Sequence, residues 1–109
     1  MTEPFDEAHF KVMTGDDSAL QREIIALFTD QAARLRPVFS PATPAPERRD
    51  AAHTLKGSAR GLGLFPLADA CACAETACGT AAAALALAAL HSELDAALVA
   101  LSAHASSTA

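Results

Sequence analysis

The sequence predicts an all-α domain, an antiparallel up-down-up-down four-helix bundle with a short additional N-terminal helix. Three observations carry this. Hydrophobic residues make up 51% of the 109-residue chain; alanine, the strongest helix former, is the commonest of them, and β-branched residues are scarce. Apolar residues recur at helical spacing in several segments. The connections between those segments are short, which makes successive helices antiparallel neighbours. Residues 1–109 suit one domain with a modest core.

The first helix reads from Phe5 to Met13 and stops at Thr14-Gly15. Asp16, Asp17 and Ser18 offer N-caps for the second, and Ser18-x-x-Gln21 resembles a capping box. Leu20, Ile24, Leu27, Phe28, Leu35 and Val38 then keep helical spacing to about Phe39. The proline-rich run Ser40–Pro46 is a rigid connection, with Thr43 as cap and Pro44 as first residue of the third helix. That helix is ended by Gly61-Leu62-Gly63. Pro66 opens the fourth, which closes at Gly79. Thr80 caps the last, where Leu87, Leu90, Leu94, Leu98 and Leu101 line one face. The small, polar tail from about residue 104 is expected to fray. No helix carries an extra apolar stripe for a dimer seam, so a monomer is expected.

The net charge of −5 argues against general nucleic-acid binding. Its distribution says more. Arg48, Arg49, Lys56 and Arg60 cluster, and no lysine or arginine follows them. A local cationic patch on an acidic domain meets an anionic group at one place. The N-terminus lacks the basic and apolar regions of a secretory signal. Ala81–Leu90 is apolar but far short of the roughly 20 residues of a membrane span, so no membrane partner is expected.

Cys71, Cys73 and Cys78, odd in number and crowded into one helix, suit a reducing, cytoplasmic setting. Cys73 points about 200° away from Cys71, so the three cannot converge on one ion. They read as small buried apolar residues, and no metal is expected. His9, His91 and His104 have no mutual spacing that suggests ligation or catalysis.

His53 stands apart. With His53 at zero on a helix, Arg49 falls at about −40°, Arg60 at about −20°, Lys56 at about −60° and Gly57 at about +40°. Ala52, Leu55, Ala59 and Leu62 fall on the opposite, apolar side. The imidazole thus lies in a basic stripe beside a notch without side chains. Each helical glycine costs about 1 kcal/mol relative to alanine, so Gly57 implies clearance for an approaching protein; Gly61 serves the same clearance or begins helix termination. An imidazole has a neutral nitrogen at cellular pH and can accept a phosphoryl group as a covalent intermediate. Lys56 and Arg60 would then neutralise phosphate oxygens. Asp50, three residues before His53, reads as an ordinary surface charge.

The run Ala52-His53-Thr54-Leu55-Lys56-Gly57-Ser58-Ala59, followed by Leu62-Gly63, resembles the signature of histidine-containing phosphotransfer (HPt) domains. Gly15-Asp16 with Leu20, Ile24 and Phe28 is similar to the family's approach to its second helix, and Leu67-Ala68, Cys71 and Glu75 fit its following helix. The resemblance covers essentially the whole chain. It implies a four-helix bundle whose exposed histidine, His53, exchanges a phosphoryl group with the aspartate of a receiver domain. Lys56 would be the cation near the phosphate, Gly57 the clearance position, and Leu55, Ser58 and Ala59 would support the helix. Glu75 would have a structural role only.

The implied partners are response-regulator receiver domains, a hybrid histidine kinase, or both. The magnesium and acidic pocket would belong to the receiver, so the chain would be a carrier with no cofactor and no catalysis of its own. Arg49, Gly57, Gly61, Leu64 and Phe65 would form the docking surface. Gly61 departs from a commonly polar family position, the connection before the histidine helix is unusually proline-rich, and alanines replace larger core residues after Pro66. Two other readings compete: a four-helix adaptor that binds signalling proteins without carrying phosphate, and a metal or redox module built on the cysteines.

Overall fold

A computed structural model of the chain describes residues 3–107 as five α-helices and a short 3-10 turn, with no strand among them. The helices are α1 (Glu7–Thr14), α2 (Ser18–Leu35), α3 (Ala45–Leu62), α4 (Phe65–Ala77) and α5 (Ala83–Ser107). Helix α2 packs on α3 and α5, α3 packs on α4, and α4 packs on α5, which closes a four-helix ring. Helix α1 lies against α3. The core is filled by Phe10, Phe28, Leu55, Leu64, Leu67, Leu90, Leu94 and Leu101 with many alanines between them. Burying each of these large side chains contributes about 1.5–3 kcal/mol, and that sum opposes the chain entropy of ordering the helices.

Local chemistry sets the helix ends. The Asp6 carboxylate accepts from the His9 N–H at 3.0 Å and starts α1. Asp17, not Ser18, caps α2, accepting from Leu20 N–H at 3.1 Å. Gln21 does not complete a capping box; it is buried, and its side chain donates to Thr14 Oγ1 at 2.9 Å. Helix α2 ends at Leu35 rather than Phe39: Arg36 still holds the α conformation, but Pro37 has no N–H to carry the ladder on, and the chain tightens into the turn Arg36–Val38. Thr43 makes no cap for α3. The connection ahead of α3 is held instead by Arg48, whose Nη1 donates to the carbonyls of Ser40, Pro41 and Thr43 at 3.3, 3.2 and 2.8 Å. Arg48 is therefore a buried loop clamp and leaves the cationic patch.

Gly61 stays helical, and Gly63 ends α3 at φ +87°. A side chain there would meet the Asp6 carbonyl at 2.9 Å, so the site excludes any residue with a Cβ on both counts. The same carbonyl segment is strapped down by a bond from Asp6 N–H to Gly63 O at 2.9 Å.

Thr80 lies in a turn ahead of α5 rather than at its cap, and α5 begins at Ala83. The expected frayed tail is instead helix to Ser107, as far as the described residues go. His104 explains it. Its buried ring lies 3.2 Å from both Glu7 Oε1 and Gln21 Oε1, and edge-on to Phe5 and Phe10. Helix α5, at 25 residues, is long and apolar enough to cross a membrane. Length therefore does not exclude a span, as the sequence reading assumed. Its Leu87, Leu90, Leu94, Ala97 and Leu101 face the bundle core.

Candidate functional site around His53

The apolar face of α3 places Ala52, Leu55, Ala59 and Leu62 in the core, which turns His53 outward with its side chain 71% exposed. On one flank stands Glu75 of α4. Its Oε2 lies 3.3 Å from His53 Nδ1, and its Oε1 lies 2.6 Å from Lys56 Nζ. The Lys56 ammonium holds the Glu75 carboxyl below the usual glutamate range; partial burial opposes this, and His53 adds to it. An ionised carboxylate can only accept, so Nδ1 carries the hydrogen in neutral His53 and the lone pair sits on Nε2, the nitrogen Glu75 does not engage.

Glu75, expected to have a structural role only, stands against the imidazole itself. Glu75 lies 22 residues from His53 and is brought to it by the α3–α4 turn. Its fit to helical register with Cys71 was visible in sequence, but not that it crosses to the histidine face. Lys56, expected near the phosphate, is largely covered and engages Glu75. Arg49 and Arg60 are exposed and make no ion pair among the described residues. Asp50 is exposed, and only its main-chain carbonyl is engaged, by Thr54 Oγ1 at 3.0 Å.

On the other flank, a Cβ built at Gly57 or Gly61 meets nothing within 4 Å. Neither glycine is needed for close helix packing. The notch opens into a groove of about 380 Å³ between α2 and α3, lined by Met13, Ile24, Leu27, Gln31, Arg34 and Ser58 along with both glycines. Met13 is 50% and Leu27 63% exposed.

That apolar rim replaces the patch expected at Leu64 and Phe65. Leu64 is fully buried because the left-handed Gly63 turns the chain inward, with Leu64 N–H donating to Ala59 O at 2.8 Å. Phe65 is half-buried, its ring 5.2 Å from His9.

No group of three metal-ligating side chains occurs among the described residues. Cys71 is buried as expected, and burial, followed by the Glu75 charge, pushes its thiol up to about 12. Cys73 is exposed and Cys78 half-buried, which corrects their reading as core residues. His91 is structural: its Nε2 lies 2.7 Å from Phe39 O and donates to that carbonyl.

Comparison with known proteins agrees with this geometry. The Hpt domain profile matches residues 23–104. The fold is similar to the crystal structure of histidine phosphotransferase ShpA from Caulobacter crescentus, with a TM-score of 0.82 and 34% sequence identity over 96% of this chain and 93% of that one. No curated protein sequence matches the chain.

Proposed function

Because the chain belongs to the Hpt domain family and is a phosphotransfer protein of a phosphorelay, we propose that His53 Nε2 is the atom that carries the phosphoryl group. The observation behind this is the polarised, water-facing imidazole, held at Nδ1 by Glu75 and reachable past Gly57. The Nε2 lone pair attacks the phosphorus of a receiver's aspartyl phosphate. A P–N bond forms, the P–O bond breaks, and the aspartate leaves as carboxylate. The imidazole gains positive charge in that step, which the Glu75 carboxylate offsets across the Nδ1–H. Lys56 keeps Glu75 ionised and in place. Arg60 and Arg49, exposed beside His53, supply positive charge to the phosphate oxygens and to the acidic receiver.

The receiver docks on the groove between α2 and α3, with Met13 and Leu27 as apolar anchors and the glycine notch admitting its backbone. Magnesium is supplied by the receiver, and this chain acts as carrier without catalysis of its own. The reading places it in the cytoplasm, where its three free thiols stay reduced.

Incubation with a phosphorylated receiver and magnesium is expected to label the protein with an acid-labile, base-stable phosphate. His53→Gln should abolish the label with the helical circular dichroism unchanged. Labelling that survives this substitution overturns the assignment. A wild-type chain that binds receivers yet never takes label would favour the silent-adaptor reading.

A further inference from the structure

Helix α5 is more apolar than its place in the bundle requires. Of its most apolar 18-residue window only 28% is buried. With the inner face assigned to the core, a second stripe emerges that the sequence reading did not resolve. Leu85, Ser92 and Val99 follow one another at seven-residue steps on the outside, and Ala89, Ala96 and Ala103 run beside them within about 40°. Leu85 is 78% and Val99 70% exposed. Beside Leu85 the stripe opens into an uncharged groove of about 660 Å³ between α4 and α5, floored by Ala72, Ala77 and Ala86.

We propose that this face is where two copies of the chain associate, through an antiparallel α5–α5 pair with its two-fold axis at Ser92. Three arguments favour a second copy as occupant. The first is symmetry. An isologous contact needs a surface complementary to itself, and reversing α5 about Ser92 sets Leu85 of one copy against Val99 of the other, twice. The second is closeness: alanine at every companion position lets two helix backbones approach, so the larger side chains interlock between small ones.

The third is charge. Two copies of a −5 chain repel at long range, yet the stripe itself carries no charge. At its edge, Asp95 is neutralised by Arg36 at 2.6 Å, which leaves Glu93 as the one acidic residue of α5 not so paired. Helix α3 lies diagonally opposite α5 in the ring, so both His53 faces remain free and a dimer presents two receivers' worth of docking surface.

The area sets the strength. From Leu85 to Ala103 the helix runs about 27 Å, and a strip about 10 Å wide with the adjoining groove removes on the order of 400–500 Å² per copy. The two copies together bury about 800–1,000 Å², roughly half a standard interface, which fits a weak dimer forming at tens of micromolar or above.

Sedimentation equilibrium of the full chain from about 5 µM to 1 mM tests this. The average mass should climb from 11.2 kDa toward twice that value, and Leu85→Glu or Val99→Glu should hold it at the monomer mass with helicity unchanged. In a second arm, Ser92→Cys in a Cys73→Ala background should cross-link rapidly to itself with a short bismaleimide, and Ser102→Cys should not. A mass of 11.2 kDa at every concentration overturns the proposal. So does a dimer that ignores both glutamates, a Ser102→Cys variant that cross-links as fast as Ser92→Cys, or a monomer that instead partitions onto zwitterionic lipid vesicles through this face.

Discussion

Replacing Gly57 by alanine should make the protein more stable and worse at its task. Gly57 lies inside α3 with helical backbone, and a Cβ there meets nothing within 4 Å. The substitution therefore adds no clash and removes the conformational cost of glycine, a gain of about 1 kcal/mol. For a domain of 109 residues, an unfolding entropy of about 2 cal/mol/K per residue converts that to a Tm rise of about 4 °C. Gly61→Ala, in the last turn, should gain somewhat less. The added methyl groups project into the groove proposed above for the receiver. Gly57→Leu should therefore fold with a Tm at or above wild type and slow phosphotransfer from a receiver by at least about tenfold, mostly through weaker docking. Thermal unfolding followed at 222 nm gives the first number, and rapid-quench transfer kinetics give the second. A lowered Tm for Gly57→Ala would mean the space around α3 is misjudged. Transfer at the wild-type rate by Gly57→Leu would mean the notch does not serve the partner.

Gly63→Ala should have the opposite sign, costing about 2 kcal/mol or more, since φ of +87° and a contact of 2.9 Å with the Asp6 carbonyl both oppose it; the same melting experiment reads it. Arg48→Ala should cost about 2 kcal/mol by freeing three loop carbonyls, visible in urea unfolding, with transfer rates unchanged because the residue lies away from His53. For Glu75, whose folded carboxyl is held low by Lys56, the stabilisation is complete above the ordinary glutamate value of about 4.3 and drains as pH falls through the lower folded value. Urea unfolding of wild type and Glu75→Gln should thus differ by a constant amount near neutrality and converge below about pH 4. A difference that widens toward acid would contradict the ion pair.

The bundle was legible because alanine content and helical spacing of leucines depend only on local chemistry and on which face is buried. His53 was legible for the same reason: the residues that share or oppose its face are within two turns, so the 3.6-residue period places them. What escaped was non-local. Glu75 reaches His53 only through the α3–α4 turn, Gln21 spends its side chain on Thr14 and His104 rather than on a cap, and Arg48 looked like a surface cation until the loop folded beneath it. Leu64 was misplaced on the surface for a related reason. Leu64 and Phe65 sit next to the histidine helix in sequence, but the left-handed turn at Gly63 sends Leu64 inward, and the exposed apolar side chains beside the glycines come from Met13 and Leu27, far earlier in the chain.

On α3 the residues that hold the bundle together and those that face outward share one helix, and the space over Gly57 and Gly61 is empty of the bundle's own atoms. Drift in the outward set costs the scaffold little, and at the glycines most replacements would strengthen it. The wiring of such a relay is therefore free to be rewritten by selection for acquaintance alone, with the fold as a bystander.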